Sequence, residues 1–124
     1  FSLGDQDMVV RPLALELYRR ARCKNLILKL GDRGLITYRS LGPHPRQFFT
    51  LASFVTRLVD PVGAGDALLA YSSLALAVSR NIVTASILGA MAAAAACERE
   101  GNVPVTPADV EAVIGDVERK VRYA

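Results

Sequence analysis

Apolar positions change rhythm along this chain, and the changes mark out its elements. From about Val10 to Arg22, the residues Leu13, Leu17, Tyr18 and Ala21 recur at helical spacing, with Pro12 tolerable only in a first turn. Residues 1 to 7 are polar and read as a ragged entry. The helix is expected to cover a sheet. Asn25 to Leu30 is then a short apolar run closed by Gly31, and Leu35 to Tyr38 is a second run after Gly34. Two strands therefore flank Gly31-Asp32-Arg33-Gly34. A helix feeding an apolar strand suits a covered, largely parallel sheet, while the tight turn sets the second strand antiparallel to the first. The sheet is expected to be mixed. Ser40 to Gln47 holds two prolines, a glycine and the only histidine, His44, and reads as a loop. Phe48 to Thr50 and Val55 to Val59 read as short strands, the second delivering the chain to Asp60.

Beyond Asp60 the pattern becomes almost wholly apolar. The stretch from Asp66 to about Val78 is expected to be a helix, and one apolar on all sides is buried. Arg80-Asn81 ends it, and Ile82 to about Arg99 forms a second helix in which Ala92 to Ala96 permits close approach. Asp66 and Arg80-Asn81 leave apolar pieces of about 13 and 16 residues, short of the roughly 20 that a membrane span needs. Buried helices fit better than a membrane partner. After a loop centred on Gly101-Asn102, Thr106-Pro107-Ala108-Asp109 starts a helix with Thr at the N-cap, Pro in the first turn and an acid at N3. Val110, Val113, Ile114, Val117 and Val121 mark its apolar face.

Composition bounds this picture without redirecting it. A chain of 124 residues, 52% hydrophobic and 22% charged, supplies one packed domain or part of one and argues against disorder. It begins at Phe1 rather than a methionine, which reads as a fragment or a processed product. The net charge of +3 would allow nucleic-acid contact. However, Arg19, Arg20, Arg22 and Lys24, then Arg119, Lys120 and Arg122, gather at expected helix ends, where they complement the dipole. No aromatic residues interleave with them, so no nucleic-acid partner is expected. Cys23 and Cys97 lack metal spacing and read as reduced thiols. With no charged-then-apolar leader opening the chain, a cytoplasmic location is expected.

The candidate chemistry lies in Asp60-Pro-Val-Gly-Ala-Gly-Asp66 and the helix after it. Two glycines and an alanine bare backbone N–H groups at the positive end of that helix, which favours phosphate or a developing negative charge. A carboxylate there is unfavourable unless it has a task, such as taking a proton from a hydroxyl. A base beside an anion hole points to phosphoryl transfer. A tight loop with Asp66 as the N-cap accounts for the same residues.

This stretch resembles the C-terminal signature of the ribokinase (PfkB) family of carbohydrate kinases, usually Asp-Thr-Val/Thr-Gly-Ala-Gly-Asp before a small or apolar helix. Pro61 stands where threonine is usual. The resemblance implies Asp66 as catalytic base and the backbone of Gly63, Ala64 and Gly65 as anion hole. Leu30-Gly31-Asp32-Arg33-Gly34 is similar to the family's Leu-Gly-x-x-Gly turn near the nucleotide, which makes Lys29, Gly31, Asp32, Arg33 and Gly34 candidates for the ATP side. A hairpin turn whose glycines take positive φ is the other reading. Lys29, where threonine is common, reaches either a phosphate or solvent. The family's small-residue helix lines the adenine pocket, and Met91 falls where Asn, His or Ser often stands; Met91 equally reads as core. In several members the loop corresponding to Glu98 to Asn102 helps hold a monovalent cation, so Asp60 and Val62 become candidates for K+. Asp60 otherwise simply fixes the turn.

The resemblance runs from about Asn25 to Val121 and matches only the C-terminal portion of kinases that typically run to about 300 residues. It implies a ribokinase-like layered α/β fold, ATP and Mg2+ as cofactors, and a sugar or sugar phosphate as substrate. The other half would carry most sugar-binding residues, the lid and an Asn-x-x-Glu magnesium motif that does not occur here. This portion alone is expected to be inactive. The Ala-rich helix and Val-Thr-Pro-Ala-Asp-Val from 105 to 110 look somewhat like the heptose-phosphate kinase branch. The alternative is a noncatalytic nucleotide-binding or interaction module, for which the length, the absent motif, Pro61 and Met91 speak. The open flank of such a sheet would tend to pair with another chain, which makes a homodimer a candidate form.

Overall fold

The computed structural model describes residues 4–41 and 44–123. In chain order these form α1 (Gly4–Ala21), β1 (Asn25–Lys29), a 3-10 turn (Gly31–Arg33), β2 (Leu35–Leu41), β3 (His44–Leu51), α2 (Ala64–Ser79), α3 (Ile82–Cys97) and α4 (Pro107–Tyr123). The strands pair in the order β1-β2-β3, with Lys29 opposite Leu35 and Leu35 opposite Leu51. Both pairings are antiparallel, so the parallel component of the expected mixed sheet is not among the described residues. The reason is chain length: only a few residues separate each strand from the next, too few for the crossover that a parallel neighbour needs. His44 accordingly opens β3 rather than sitting in a loop.

The helix α1 starts at Gly4, earlier than the polar entry suggested, and Pro12 lies inside it. A proline there removes one backbone hydrogen bond, and the remaining turns carry the helix through. Its buried face also differs from the expected one: Ala14 and Tyr18 pack on Ile36 and Tyr38, while Leu13 and Leu17 are exposed. The Tyr18 hydroxyl donates to the carbonyl of Lys24 at 2.8 Å, which gives the buried ring's polar end a partner. On the other side of the sheet, Thr37 and Ser86 share a buried 2.9 Å hydrogen bond that ties β2 to α3. Leaving either hydroxyl unpaired there would be costly.

Gly34 shapes the β1–β2 turn. Its φ is +90°, and a Cβ at this position would overlap the Leu51 carbonyl on β3. Gly34→Ala should therefore destabilise by about 2 kcal/mol, combining the left-handed penalty with a displaced strand. Urea unfolding would show a lower midpoint with an unchanged slope. An unchanged midpoint would mean that the turn adapts.

The helices α2 and α3 form a hairpin. Arg80 takes the left-handed conformation with φ +53° and donates its N–H to the Leu76 carbonyl, which ends α2. Asn81 then caps α3, its side-chain oxygen accepting the N–H groups of Val83 and Thr84 at 2.9 and 3.2 Å. A Cβ on Gly89 would stand 3.0 Å from the Leu68 carbonyl oxygen, so the two helices run in close contact. The expectation that α2 is buried on all sides is not met. Ser72 is its one buried residue, and Leu69, Leu74 and Val78 are 65%, 67% and 88% exposed. An apolar sequence reports what a face can bury, but burial needs a neighbour, and α3 covers only one side.

The start of α4 follows the sequence closely. Asp109 N–H donates to Thr106 Oγ1 at 3.3 Å and Thr106 N–H donates to Asp109 Oδ2 at 2.8 Å, with Arg99 donating to the same oxygen. The Thr106 N–H, and after it Arg99, hold the Asp109 carboxyl below the ordinary aspartate value. A depressed native value stabilises the fold above the ordinary pKa of 3.8, and that stability is lost as pH falls through the native value. Asp109→Ala should cost about 1 kcal/mol at neutral pH. The difference from wild type should shrink in urea titrations taken below pH 3.8. A difference that does not change with pH would contradict this role. Beyond the cap, Val110 is buried against Met91 and Ala92, and Val113, Ile114 and Val117 pack around them, while Val121 is exposed. No helix among the described residues is long and apolar enough to cross a membrane.

Candidate active site

Residues 52–63 lead from β3 to α2 without regular structure. The strand expected over Val55 to Val59 does not form, because these residues are held by the end of a helix rather than by a neighbouring strand. Thr56 donates its N–H and hydroxyl to Glu98 Oε1 at 3.1 and 2.8 Å, and the N–H groups of Val59 and Asp60 both donate to the Cys97 carbonyl. The C-terminus of α3 thus clamps the approach to the signature turn. Asp60 continues the clamp: Oδ1 accepts the Val62 N–H at 3.0 Å and Oδ2 accepts the Gly101 N–H at 3.1 Å. Both carboxylate oxygens of Asp60 are engaged in holding the loop.

At Gly63 the chain turns left-handed, with φ +85°, and a Cβ there would lie 2.5 Å from Asn102 Oδ1. Only glycine fits between that conformation and that side chain. Gly63 is the N-cap of α2, and no side chain caps the helix. This overturns the reading of Asp66 as the N-cap. Asp66 lies inside the first turn and is exposed. Ala64 N–H reaches the Pro61 carbonyl at 3.2 Å, and Ala67 N–H reaches the Gly63 carbonyl at 3.0 Å. Between them, the N–H groups of Gly65 and Asp66 have no acceptor among the described residues. Uncapped donors at the positive end of a four-turn helix are suited to an anion.

A cavity of about 820 Å³ opens beside this turn, within the usual range for small-molecule sites. Ala90, Ala93, Ala94 and Cys97 of α3 form one wall with Leu68 of α2; Val55 and Leu58 add apolar surface. Lys29, Gly31, Asp32, Arg33 and Gly34 line another side, and Ala64 and Gly65 bring the helix start to it. The structure therefore gathers the residues singled out around the β1–β2 turn with Ala64 and Gly65 of the signature turn, while Gly63 and Asp66 of the same turn do not line the cavity. Met91 stands apart: it is buried against Val110 of α4 and does not line the cavity. The geometry of α3 explains this, since positions 90, 93, 94 and 97 share one stripe and position 91 points a quarter-turn away. The spacing of small residues along α3 is the sequence signal for this wall, and it separates the wall from Met91. Ser53 and Thr56, also lining residues, carried no such signal.

The Cys97 thiol is pushed up from its ordinary value, mainly by burial and then by the charges of Glu98 and Asp60. It is a protonated part of the wall, with low nucleophilic character. Among the described residues no three His, Cys, Asp or Glu side chains converge as metal ligands.

Fold and turn together are those of a ribokinase-like α/β layer. Ribokinase from Thermotoga maritima superposes with a TM-score of 0.70 at 29% identity, over 83% of this chain and 34% of its own. Phosphofructokinase-2 from Escherichia coli, in complex with potassium, gives a TM-score of 0.76 at 21% identity, over 94% of this chain and 36% of its own. The bifunctional protein HldE of Halorhodospira halophila is 29% identical over 123 residues. The description "pfkB family carbohydrate kinase" matches residues 4–109, and this chain belongs to that family. It spans 25% of the length of HldE and about a third of each solved neighbour.

Proposed function

We propose that the whole protein transfers the γ-phosphoryl group of ATP to a hydroxyl of a sugar or sugar phosphate, with this chain supplying the ATP cavity, the anion hole and the base. The observation that carries this reading is the uncapped start of α2, with Gly65 at the cavity, bare N–H groups on Gly65 and Asp66, and the exposed Asp66 carboxylate in the same turn. ATP fits what the residues offer. The apolar wall of Ala90, Ala93 and Ala94 takes the base, and the missing side chain of Gly65 leaves the backbone open to phosphate.

Asp66 takes the proton from the acceptor hydroxyl as its oxygen attacks the γ-phosphorus. The backbone of Gly63, Ala64 and Gly65, with the dipole of α2, faces the negative charge on the transferring group. Magnesium ordinarily neutralises the β- and γ-phosphates in such reactions. The described residues form no acidic cluster for it. Asp60 and Val62 stand as a proposed monovalent-cation position, although both Asp60 oxygens already hold backbone N–H groups. Equal turnover in potassium and in tetramethylammonium salts would remove that assignment. The resemblance of the Ala-rich helix and of residues 105–110 to the heptose-phosphate kinase branch favours a sugar phosphate as acceptor, and a cytoplasmic small-molecule kinase is the setting this reading implies.

The test is ADP release by the whole encoded protein with MgATP and a panel of sugars and sugar phosphates. Release that depends on one acceptor is the expected result. ATP binding without acceptor-dependent release would favour the noncatalytic module.

A further inference from the structure

We propose that Glu98 is a positioning residue for the nucleotide, its carboxylate latching residues 52–58 to the end of α3 so that they close one side of the cavity; the proposal rests on the kinase reading above. Residues 52–58 have no regular structure, yet Ala52, Ser53, Val55, Thr56 and Leu58 all line the cavity. This strap is pinned at both ends. Leu51 pairs with Leu35 in the sheet, and the N–H groups of Val59 and Asp60 donate to the Cys97 carbonyl.

The middle of the strap has two holds on the helices. Phe54 packs on the apolar cluster of Met91, Ala92 and Val110. Thr56 gives both its N–H and its hydroxyl to one oxygen, Glu98 Oε1, at 3.1 and 2.8 Å. Between them, the Val55 N–H donates to Ser53 Oγ, inside the strap. Among the described residues, the hydrogen bonds that cross from residues 52–58 to another element are therefore the two that Thr56 makes.

Glu98 stands where helix electrostatics disfavour it. It is the C-cap of α3, and the negative end of a helix repels a carboxylate. Two donors on one of its oxygens offset that repulsion while the strap is closed. Thr56 on one side of the latch and Cys97 next to it on the other both line the cavity, so engaging the latch also shapes the wall. Without the latch, the nucleotide has to select the closed strap, and affinity falls with the fraction of molecules in which it is closed. Val55 and Leu58 add apolar surface beside the alanine wall, so the loss falls on the nucleoside and is shared by every adenine ligand.

Calorimetry on the whole protein with Mg·ADP and with adenosine tests the latch. Glu98→Ala should weaken both ligands by the same factor, about five- to tenfold, the scale of charge-assisted hydrogen bonds open to solvent. Glu98→Gln, which keeps an acceptor oxygen, should recover part of the loss. Thr56→Val, which keeps the shape and removes the hydroxyl, should reproduce part of it. Adding Thr56→Val to Glu98→Ala should cost nothing more, because the two residues act through one contact. A lower urea midpoint with unchanged affinities would reduce Glu98 to a staple of the loop and overturn the proposal. Losses that add in the double variant, or a loss confined to ADP, would overturn it too, and all three leave the kinase reading standing. Wild type that binds neither ligand would overturn both.

Discussion

Replacing Asp66 with asparagine should lower turnover of the whole protein by about 10²- to 10⁴-fold while leaving ATP affinity within about threefold. The expected loss corresponds to about 3–5 kcal/mol of barrier. Asp66 is not needed to start the helix. It does not cap α2, since Gly63 occupies that position, and no hydrogen bond or ion pair engages its carboxylate among the described residues. Removing its charge should therefore cost the fold little. Asparagine keeps the shape and can still touch a hydroxyl, but it cannot accept the proton. Steady-state ADP release with the acceptor identified by the panel measures the effect, and near-wild-type turnover would dismiss Asp66 as the base.

Gly65→Val should reduce ATP affinity by about 100-fold while adenosine affinity and the fold are retained. Gly65 is not one of the positive-φ glycines, so its backbone accepts a side chain, in contrast to Gly63 and Gly34. The nearest atom a Cβ would meet is the end of Lys29, which can swing aside. The penalty thus falls on whatever approaches the amides of Gly65 and Asp66. A branched side chain screens those amides and displaces the ammonium together, which is why the effect should be large. If the ratio of ATP to adenosine affinity does not change, phosphate does not bind at this turn.

Much of this arrangement was legible because glycine, proline and capping residues leave strong local marks. Thr106 and Asp109 announced the start of α4, Asn81 the start of α3, and Gly31 and Gly34 the turn between β1 and β2. The signature turn was legible for the same reason: two glycines before a helix specify bare backbone. What the sequence concealed were relations between distant residues. Val55 to Val59 looks like a strand because β-branched residues favour one, yet the Val59 N–H donates to the Cys97 carbonyl at the end of α3 and the Thr56 N–H to the Glu98 carboxylate. The run from Ala67 to Val78 hides which face is covered, because apolar residues occupy every side. Met91 is a candidate only through the family resemblance, and the helical stripe through Ala90, Ala93, Ala94 and Cys97 is what distinguishes wall from core. The meeting of Lys29 with Gly65 joins a strand end to a helix start and leaves no trace in either segment alone.

The central claim is that the first-turn amides of α2 receive the terminal phosphate of ATP. The most direct measurement is the backbone amide NMR shift of Gly65 and Asp66 in the whole protein, titrated with Mg·AMP-PNP and with Mg·ADP. The account predicts large downfield shifts of both amides with AMP-PNP and much smaller ones with ADP, while the amide of Gly115 in α4 does not move. Nucleotide that binds and shifts the cavity residues on α3 but leaves Gly65 and Asp66 unmoved would contradict it.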